Sequence, residues 1–470
     1  MEKFIGNIVD VRNRKIYYGN VVVDNGIITS IERLGDEDSL KPYILPGFID
    51  AHVHIESSMV TPGYFAEHVV KYGTVAVIAD PHEISNVCGI EGFDFMYKEA
   101  QNAPVNIFYA VPSCVPATPF ETSGANFSAE VIQQIFENYN VIALAEMMNF
   151  PGVVNQFPDV IAKLNVAKHY NKPVDGHAPA LSGEDLNSYA SHGITTDHEA
   201  FTYEEGKEKI RAGMKIQIRE GSAARNFEAL HQLIDEFPDK VMFCTDDAHP
   251  DTLISGHIDR VVRMAIAKKH SLFNVLQASS INAIDHYRLP VGDLTVNSSA
   301  DFIIVDDLVK FNVKETIIKG KIAYSEDTVD ESFSGDRVVN NFKVEGLSVD
   351  KLQIPATERS VRIIKALDGE LITEQIIDTL PNDGKFLLPD TKKDYLKLVV
   401  VNRYDGNSLP ALGFINGFNL KEGAIAGSVA HDSHNIICIG TSDEYILKAV
   451  NAVIESKGGI VFVDANSIAQ

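Results

Sequence analysis

Hydrophobic positions along this chain follow one pattern at its start and another through its middle. Between residues 4 and 45 the runs NIVDV, KIYYGNVVV and IITSIERL are separated by Gly, Asn and Asp, a bounded alternation that predicts short strands of a small sheet. From Phe48 to about Leu289 there follow eight apolar runs, FIDAHVHI, TVAVIADPH, VNIFYAVPS, VIALAEMMN, PVDGHAP, ITTDHE, KIQIREG and VMFCTDD. Several are apolar almost throughout, as strands buried on both faces are. Amphipathic stretches such as SAEVIQQIFENYN and NFEALHQLIDEF stand between them. Repeated strand-then-helix units of this number predict a (β/α)8 barrel in an α/β chain.

Beyond the barrel, ADFIIVDDLVKFNVKETIIKGKIAY returns to strand-like alternation and is expected to complete the sheet begun at the N-terminus. The remainder mixes strand and helix patterns in KLVVVNRY, DEYILKAVNAVIES and GGIVFVDANSIAQ. The expected organisation is therefore residues 1–47 and 290–340 as the two parts of a small β-sandwich, 48–289 as the barrel, and 341–470 as a further C-terminal α/β domain. No solenoid period and no low-complexity tract interrupts it.

Length agrees with this division, since 470 residues exceed what one hydrophobic core usually serves. The net charge of −24, from 65 acidic against 41 Lys and Arg residues, disfavours a nucleic-acid or anionic-membrane partner. A small neutral substrate suits it better. Cys88, Cys114, Cys244 and Cys438 are scattered, without a CxxC pair, which fits a reducing compartment. The first residues, MEKFIGNIVDVRNRK, lack the apolar core of a signal peptide. Nor does any stretch approach bilayer-spanning length. A soluble, cytoplasmic protein is expected.

Polar residues gather where the barrel strands end, the face on which barrel enzymes place their chemistry. His52 and His54 are alternate residues on the first strand, so both point the same way and can grip one metal ion. Glu146 ends VIALAE, His177 ends PVDGH, His198 ends ITTDH, and Asp246 follows VMFCT. Four imidazoles and two carboxylates are enough for two divalent metal ions. Metal ions around a shared water lower its pKa toward neutrality, and Asp246 beside that water is expected to take its proton and pass it on.

The strand-end pattern resembles the amidohydrolase superfamily, whose barrels carry one or two metals in this arrangement. Many members bridge them with a carboxylated lysine on the fourth strand, where this chain has Glu146. The ordered blocks PGFIDAHVHIESSM, ADPHEISNVCG, AEMMNFPGV, DGHAP, TTDHEA and CTDDAHP resemble, within it, the adenine deaminase family of bacteria and archaea. That resemblance implies hydrolysis of adenine to hypoxanthine and ammonia in purine salvage. It implies metal ligation by His52, His54, Glu146, His177, His198 and Asp246, with manganese or ferrous iron bound and zinc also compatible. Family chains usually continue beyond the position of Gln470. A homo-oligomer, dimer or higher, is expected.

A purine substrate requires protonation of a ring nitrogen as the water attacks. Glu83 is expected to deliver that proton, with Asp80 or Asp246 shuttling the proton of the water. His82, in the same ADPHE block, and Arg219 and Glu220, at the end of the seventh strand, are expected to bind the purine. The segment GSVAHDSHN, with His431 and His434, also matches the family, without an assigned role. The alternative enzyme is another amidohydrolase acting on a cyclic amide or an N-acetyl group. A catalytically silent barrel serving as a scaffold is the alternative of a different class.

Overall fold

In the computed structural model, residues 1–326, 337–357, 360–369 and 372–469 are described. Strand β1 (Glu2–Asp10) pairs antiparallel with β2 (Lys15–Asp24), and β2 with β3 (Ile27–Gly35), while β4 (Tyr43–Pro46) runs parallel to β1. The chain then enters eight parallel strands, β5 (Phe48–Val53), β6 (Thr74–Ala79), β7 (Asn106–Val111), β8 (Ala143–Met147), β9 (Val174–Gly176), β10 (Thr196–Asp197), β11 (Lys215–Arg219) and β12 (Val241–Cys244).

Strands β5 to β9 form one ladder and β10 to β12 another. Two parallel bridges, Val174 with Ile194 and Val53 with Asp246, join them into a closed barrel. The second closure consists of Asp246 N–H donating to the His52 carbonyl (2.9 Å) and His54 N–H donating to the Asp246 carbonyl (3.1 Å). The barrel thus shuts at residues expected to carry its chemistry. Every residue of β5, β6, β8 and β12 is buried, which accounts for their unbroken apolar runs.

Strands β9 and β10 are shorter than the runs PVDGHAP and ITTDHE. Their polar ends leave the ladder early because buried carboxylates take the backbone amides: Asp197 Oδ2 accepts from Ala178 N–H at 2.9 Å. Helices fill the intervals. Ser128 caps the helix Ala129–Asn138, its side chain accepting from Val131 N–H, and Ile132, Ile135 and Phe136 form the buried stripe. NFEALHQLIDEF instead makes two single turns, Phe227–Leu230 and Leu233–Glu236. Hydrogen bonding tightens there to Ile234 N–H on the His231 carbonyl, three residues back, which breaks the α-helical repeat.

After the barrel, β13 (Phe302–Val305), β14 (Val313–Ile318) and β15 (Lys321–Ser325) follow, and β13 pairs with β4. The resulting sheet has the order β15-β14-β13-β4-β1-β2-β3. It folds over its own core, where Ile8, Val21 and Val23 meet Phe302 and Ile317, so sequence segments on both sides of the barrel share one set of buried side chains.

Contacts divide the chain into two compact units. One comprises Met1–His82, Gly92–Cys114 and Phe127–Arg337, the other Glu83–Glu91, Val115–Asn126 and Val338–Gln470. The second holds β16 (Val361–Ala366), β17 (Thr373–Asp378), β18 (Leu396–Val401), β19 (Ala411–Asn416), β20 (Ala424–Ala430), β21 (Asn435–Gly440), β22 (Ile460–Val463) and β23 (Ile468–Ala469). They form one sheet of order β17-β16-β19-β18-β21-β20-β22-β23. The helix Asp443–Glu455 presses Ile446, Ala449, Val450 and Val453 onto Val399, Ala426, Ile436 and Val461, each large side chain contributing about 1.5–3 kcal/mol by burial. Among the described residues no helix is long and apolar enough to cross a membrane.

Candidate metal centre

The C-terminal ends of β5, β8, β9, β10 and β12 bring six of the expected residues to one place. Glu146, on β8 and buried, lies at its middle. Its Oε2 is 2.6 Å from His177 Nδ1 and 3.2 Å from His198 Nε2, and its Oε1 is 3.3 Å from His54 Nε2 and 4.0 Å from His52 Nε2. Asp246 Oδ1 lies 3.0 Å from His54 Nε2 and 3.4 Å from His52 Nε2. Both imidazoles of the His-x-His pair therefore face both carboxylates.

Local backbone explains these placements. His52 and His54 share a strand face, and His54 Nδ1 donates to the Asp80 backbone carbonyl (2.9 Å), which turns Nε2 toward the carboxylates. Gly176 lets β9 approach β10: a Cβ there would stand 2.4 Å from the Thr196 carbonyl oxygen. His177 and His198 follow directly, with ring centroids 5.2 Å apart. Asp246 adopts a φ of 55°, in the left-handed region that Asp tolerates better than most residues.

The second strand contributes as well. Asp80 Oδ2 is 3.0 Å from His82 Nδ1, which is itself 3.4 Å from Glu146 Oε1. Glu83, next in the chain, belongs to the second unit. Within that unit its Oε1 is 2.9 Å from His431 Nε2 and its Oε2 3.2 Å from His434 Nε2. Burial alone would raise the Glu83 carboxyl, but these imidazoles hold it well below the usual carboxylate range. His431 and His434 thereby acquire a defined partner.

Arg219 pairs with both Glu199 and Asp246. Burial opposes the charge of Asp246, and the Arg219 guanidinium overcomes it, holding the carboxyl well below its ordinary value. Glu220, just past the last residue of that strand, has different partners: burial raises its carboxyl, and Arg260 and Arg225 oppose the rise. The structure thus separates two residues that the sequence pairs. Glu199 was not anticipated. Its Oε1 is 3.5 Å from His198 Nε2 and 3.7 Å from His177 Nδ1, and the signal for it was a buried Arg219 in need of a carboxylate.

These donors suit a divalent metal. Imidazole and carboxylate atoms of His52, Glu146 and His198, of His52, His54 and Asp246, and of His54, Asp80, His82 and Glu146 lie within 4.8 Å of one another in each group. Among the described residues neither ring nitrogen of His198 has a well-aligned hydrogen-bond partner, although the residue is 1% exposed; a buried imidazole with an unused lone pair is costly unless something binds it. Burial disfavours protonated His52, His54 and His177, yet the carboxylates raise all three, His177 to about 9. The field at this mouth calls for positive charge.

A closed parallel barrel whose strand ends converge imidazoles on a central carboxylate is the architecture of a metal-dependent hydrolase, and the amidohydrolase family profile matches residues 43–323. A profile described as the adenine deaminase C-terminal domain matches residues 370–470. The adenine deaminase of Methanosarcina barkeri is 49% identical over 477 residues, covering 100% of this chain and 86% of that one. That of Salinibacter ruber is 46% identical over 455 residues, covering 97% and 83%. The chain belongs to the adenine deaminase family. Among solved structures, a beta-aspartyl dipeptidase from Fervidobacterium islandicum superposes with a TM-score of 0.52 at 17% identity, covering 71% of this chain and 100% of that one. Enamidase superposes with a TM-score of 0.51 at 15% identity, covering 70% and 97%. Both likenesses show the shared barrel fold.

Proposed function

We propose that this protein hydrolyses adenine to hypoxanthine and ammonia at the mouth of its barrel, as a cytoplasmic enzyme of purine salvage. One observation carries the reading. Glu146 occupies the fourth-strand position with its oxygens toward His54, His177 and His198, in a chain 49% identical throughout its length to an adenine deaminase.

His52, His54, Glu146, His177, His198 and Asp246 would hold a binuclear centre, with manganese or ferrous iron favoured by the family resemblance and zinc compatible with the same donors. When bound, such ions supply a water acidified toward neutrality. The chain's own groups then move the protons. Asp246, with Oδ1 toward His52 and His54 and its other oxygen on Arg219, accepts one proton of the attacking water and returns it to the departing nitrogen. Asp80, held against His82, is the second candidate for that shuttle.

Glu83, held as a carboxylate by His431 and His434, takes the second proton of the water and passes it to the ring nitrogen beside the six-carbon. The water oxygen bonds to that carbon, the carbon–amine bond breaks, and the two water protons are accounted for by one on the ring nitrogen and one on ammonia. His82 and Arg219 are assigned to the purine edge. A homo-oligomer, dimer or higher, completes the reading, without nucleic-acid or membrane partners, in keeping with the net charge of −24.

A substrate panel tests this. Metal-loaded protein is expected to convert adenine to equal amounts of hypoxanthine and ammonia. Hydrolysis of a cyclic amide or an N-acetyl sugar, with adenine untouched, would overturn the assignment.

A further inference from the structure

Among the described residues of the barrel one lysine is wholly buried. Lys209, on the helix Tyr203–Arg211, has a side chain 0% exposed. Its ammonium donates to the Ala178 backbone carbonyl (2.8 Å), to Asp197 Oδ1 (2.7 Å) and to Glu205 Oε1 (2.8 Å). An ammonium has three protons, and each has an acceptor.

The acceptors flank the two histidines of β9 and β10. Ala178 follows His177, and Asp197 precedes His198. Asp197 also accepts from Ala178 N–H through Oδ2 and from Glu199 N–H through Oδ1, both at 2.9 Å. Glu205 accepts from Ala180 N–H (2.9 Å) and Phe201 N–H (3.0 Å). The network ties Ala178 and Ala180, just after His177, to Asp197, Glu199 and Phe201, on either side of His198.

His198 depends on such a frame. A metal-binding imidazole is usually aimed by a hydrogen bond from its second ring nitrogen, and among the described residues His198 Nδ1 has no such partner. Its ring stacks on His52 at 4.4 Å, its Nε2 faces Glu146 Oε2 at 3.2 Å, and the backbone between Asp197 and Glu199 carries it. A buried ion pair is also a poor way to gain stability alone, since apolar side chains of similar volume often serve equally well. A lysine here answers better to position than to cohesion.

We infer that Lys209 is a positioning residue for the metal centre, setting the spacing and aim of His177 and His198 through Ala178, Asp197 and Glu205. The inference rests on the metal assignment above. Its test is manganese affinity, measured by competition with a chelator on full-length protein, at a temperature where circular dichroism shows each variant folded. Wild type is measured first, and failure to bind manganese there overturns the metal assignment itself.

With wild type binding, Lys209→Met is expected to lose about 10–100-fold in affinity, the range for groups that orient metal ligands. Lys209→Arg should recover part of the loss. Glu208→Gln, which alters the acceptor of Gly183 N–H on the same helix (2.8 Å) and spares the clamp, should bind as wild type does. If Lys209→Met does not fold, Glu205→Gln takes its place and should weaken binding by a smaller factor. Wild-type affinity in folded Lys209→Met, or in Glu205→Gln where that variant must replace it, overturns the inference.

Discussion

His177 Nδ1 lies 2.6 Å from Glu146 Oε2, joining the ends of β8 and β9. The contact places a carboxylate where it faces imidazoles from three strands, and removing its charge should be felt by every ion held there. Glu146→Gln is expected to lower metal affinity by at least about 10–100-fold, a range already reached by groups that only orient ligands. Metal analysis after dialysis checks this, and a full complement of metal in the variant would contradict it.

His198 gives a narrower test. Among the described residues its ring nitrogens face only carboxylates, Glu146 Oε2 at 3.2 Å and Glu199 Oε1 at 3.5 Å from Nε2, so His198→Ala removes a ligand without stranding a protein donor. Lower metal occupancy with retained circular dichroism is expected. Unchanged occupancy would show that the sixth strand supplies no ligand.

Glu83 separates chemistry from ligation. Glu83→Gln should retain metal while kcat falls by about 10²–10⁴-fold, the contribution typical of a general acid or base. A variant as active as wild type would remove Glu83 from the mechanism.

Stability should respond to pH through His286. Burial, reinforced by Lys215 and Lys240, lowers its imidazole from 6.5 to about 3. The unfolded chain therefore takes up this proton more readily than the folded protein. The stabilisation is fully present above pH 6.5 and is lost as pH falls toward 3, each unit of depression corresponding to about 1.4 kcal/mol. Urea unfolding of His286→Asn should give a flatter stability curve between those values than wild type. Parallel curves would show that His286 is not the group responsible.

Much of this arrangement is legible in the sequence because a barrel strand carries its information locally. Apolar runs mark β5 to β12, and a polar residue closing each run marks the mouth, as with His54 or Glu146. What depends on pairing across the chain is harder to read. Arg219 and Glu220 are neighbours in sequence, yet Glu220 falls just past the end of β11, where Arg260 and Arg225 act on it, and Arg219 finds Glu199 and Asp246 instead. Glu199 follows a conspicuous histidine and has no period of its own to reveal it. The role of Lys209 is hidden for a similar reason: on an amphipathic helix a lysine reads as solvent-facing, and only the fold shows three acceptors around it.

Adenine turnover measured against metal content tests the central claim most directly. Protein stripped by a chelator is titrated with manganese or ferrous iron while hypoxanthine is followed in the ultraviolet and ammonia is assayed. Turnover should be absent from the stripped protein and rise with added metal to saturation near two ions per chain, as a binuclear centre requires. Turnover that survives complete stripping, or no turnover with both ions bound, would contradict the account.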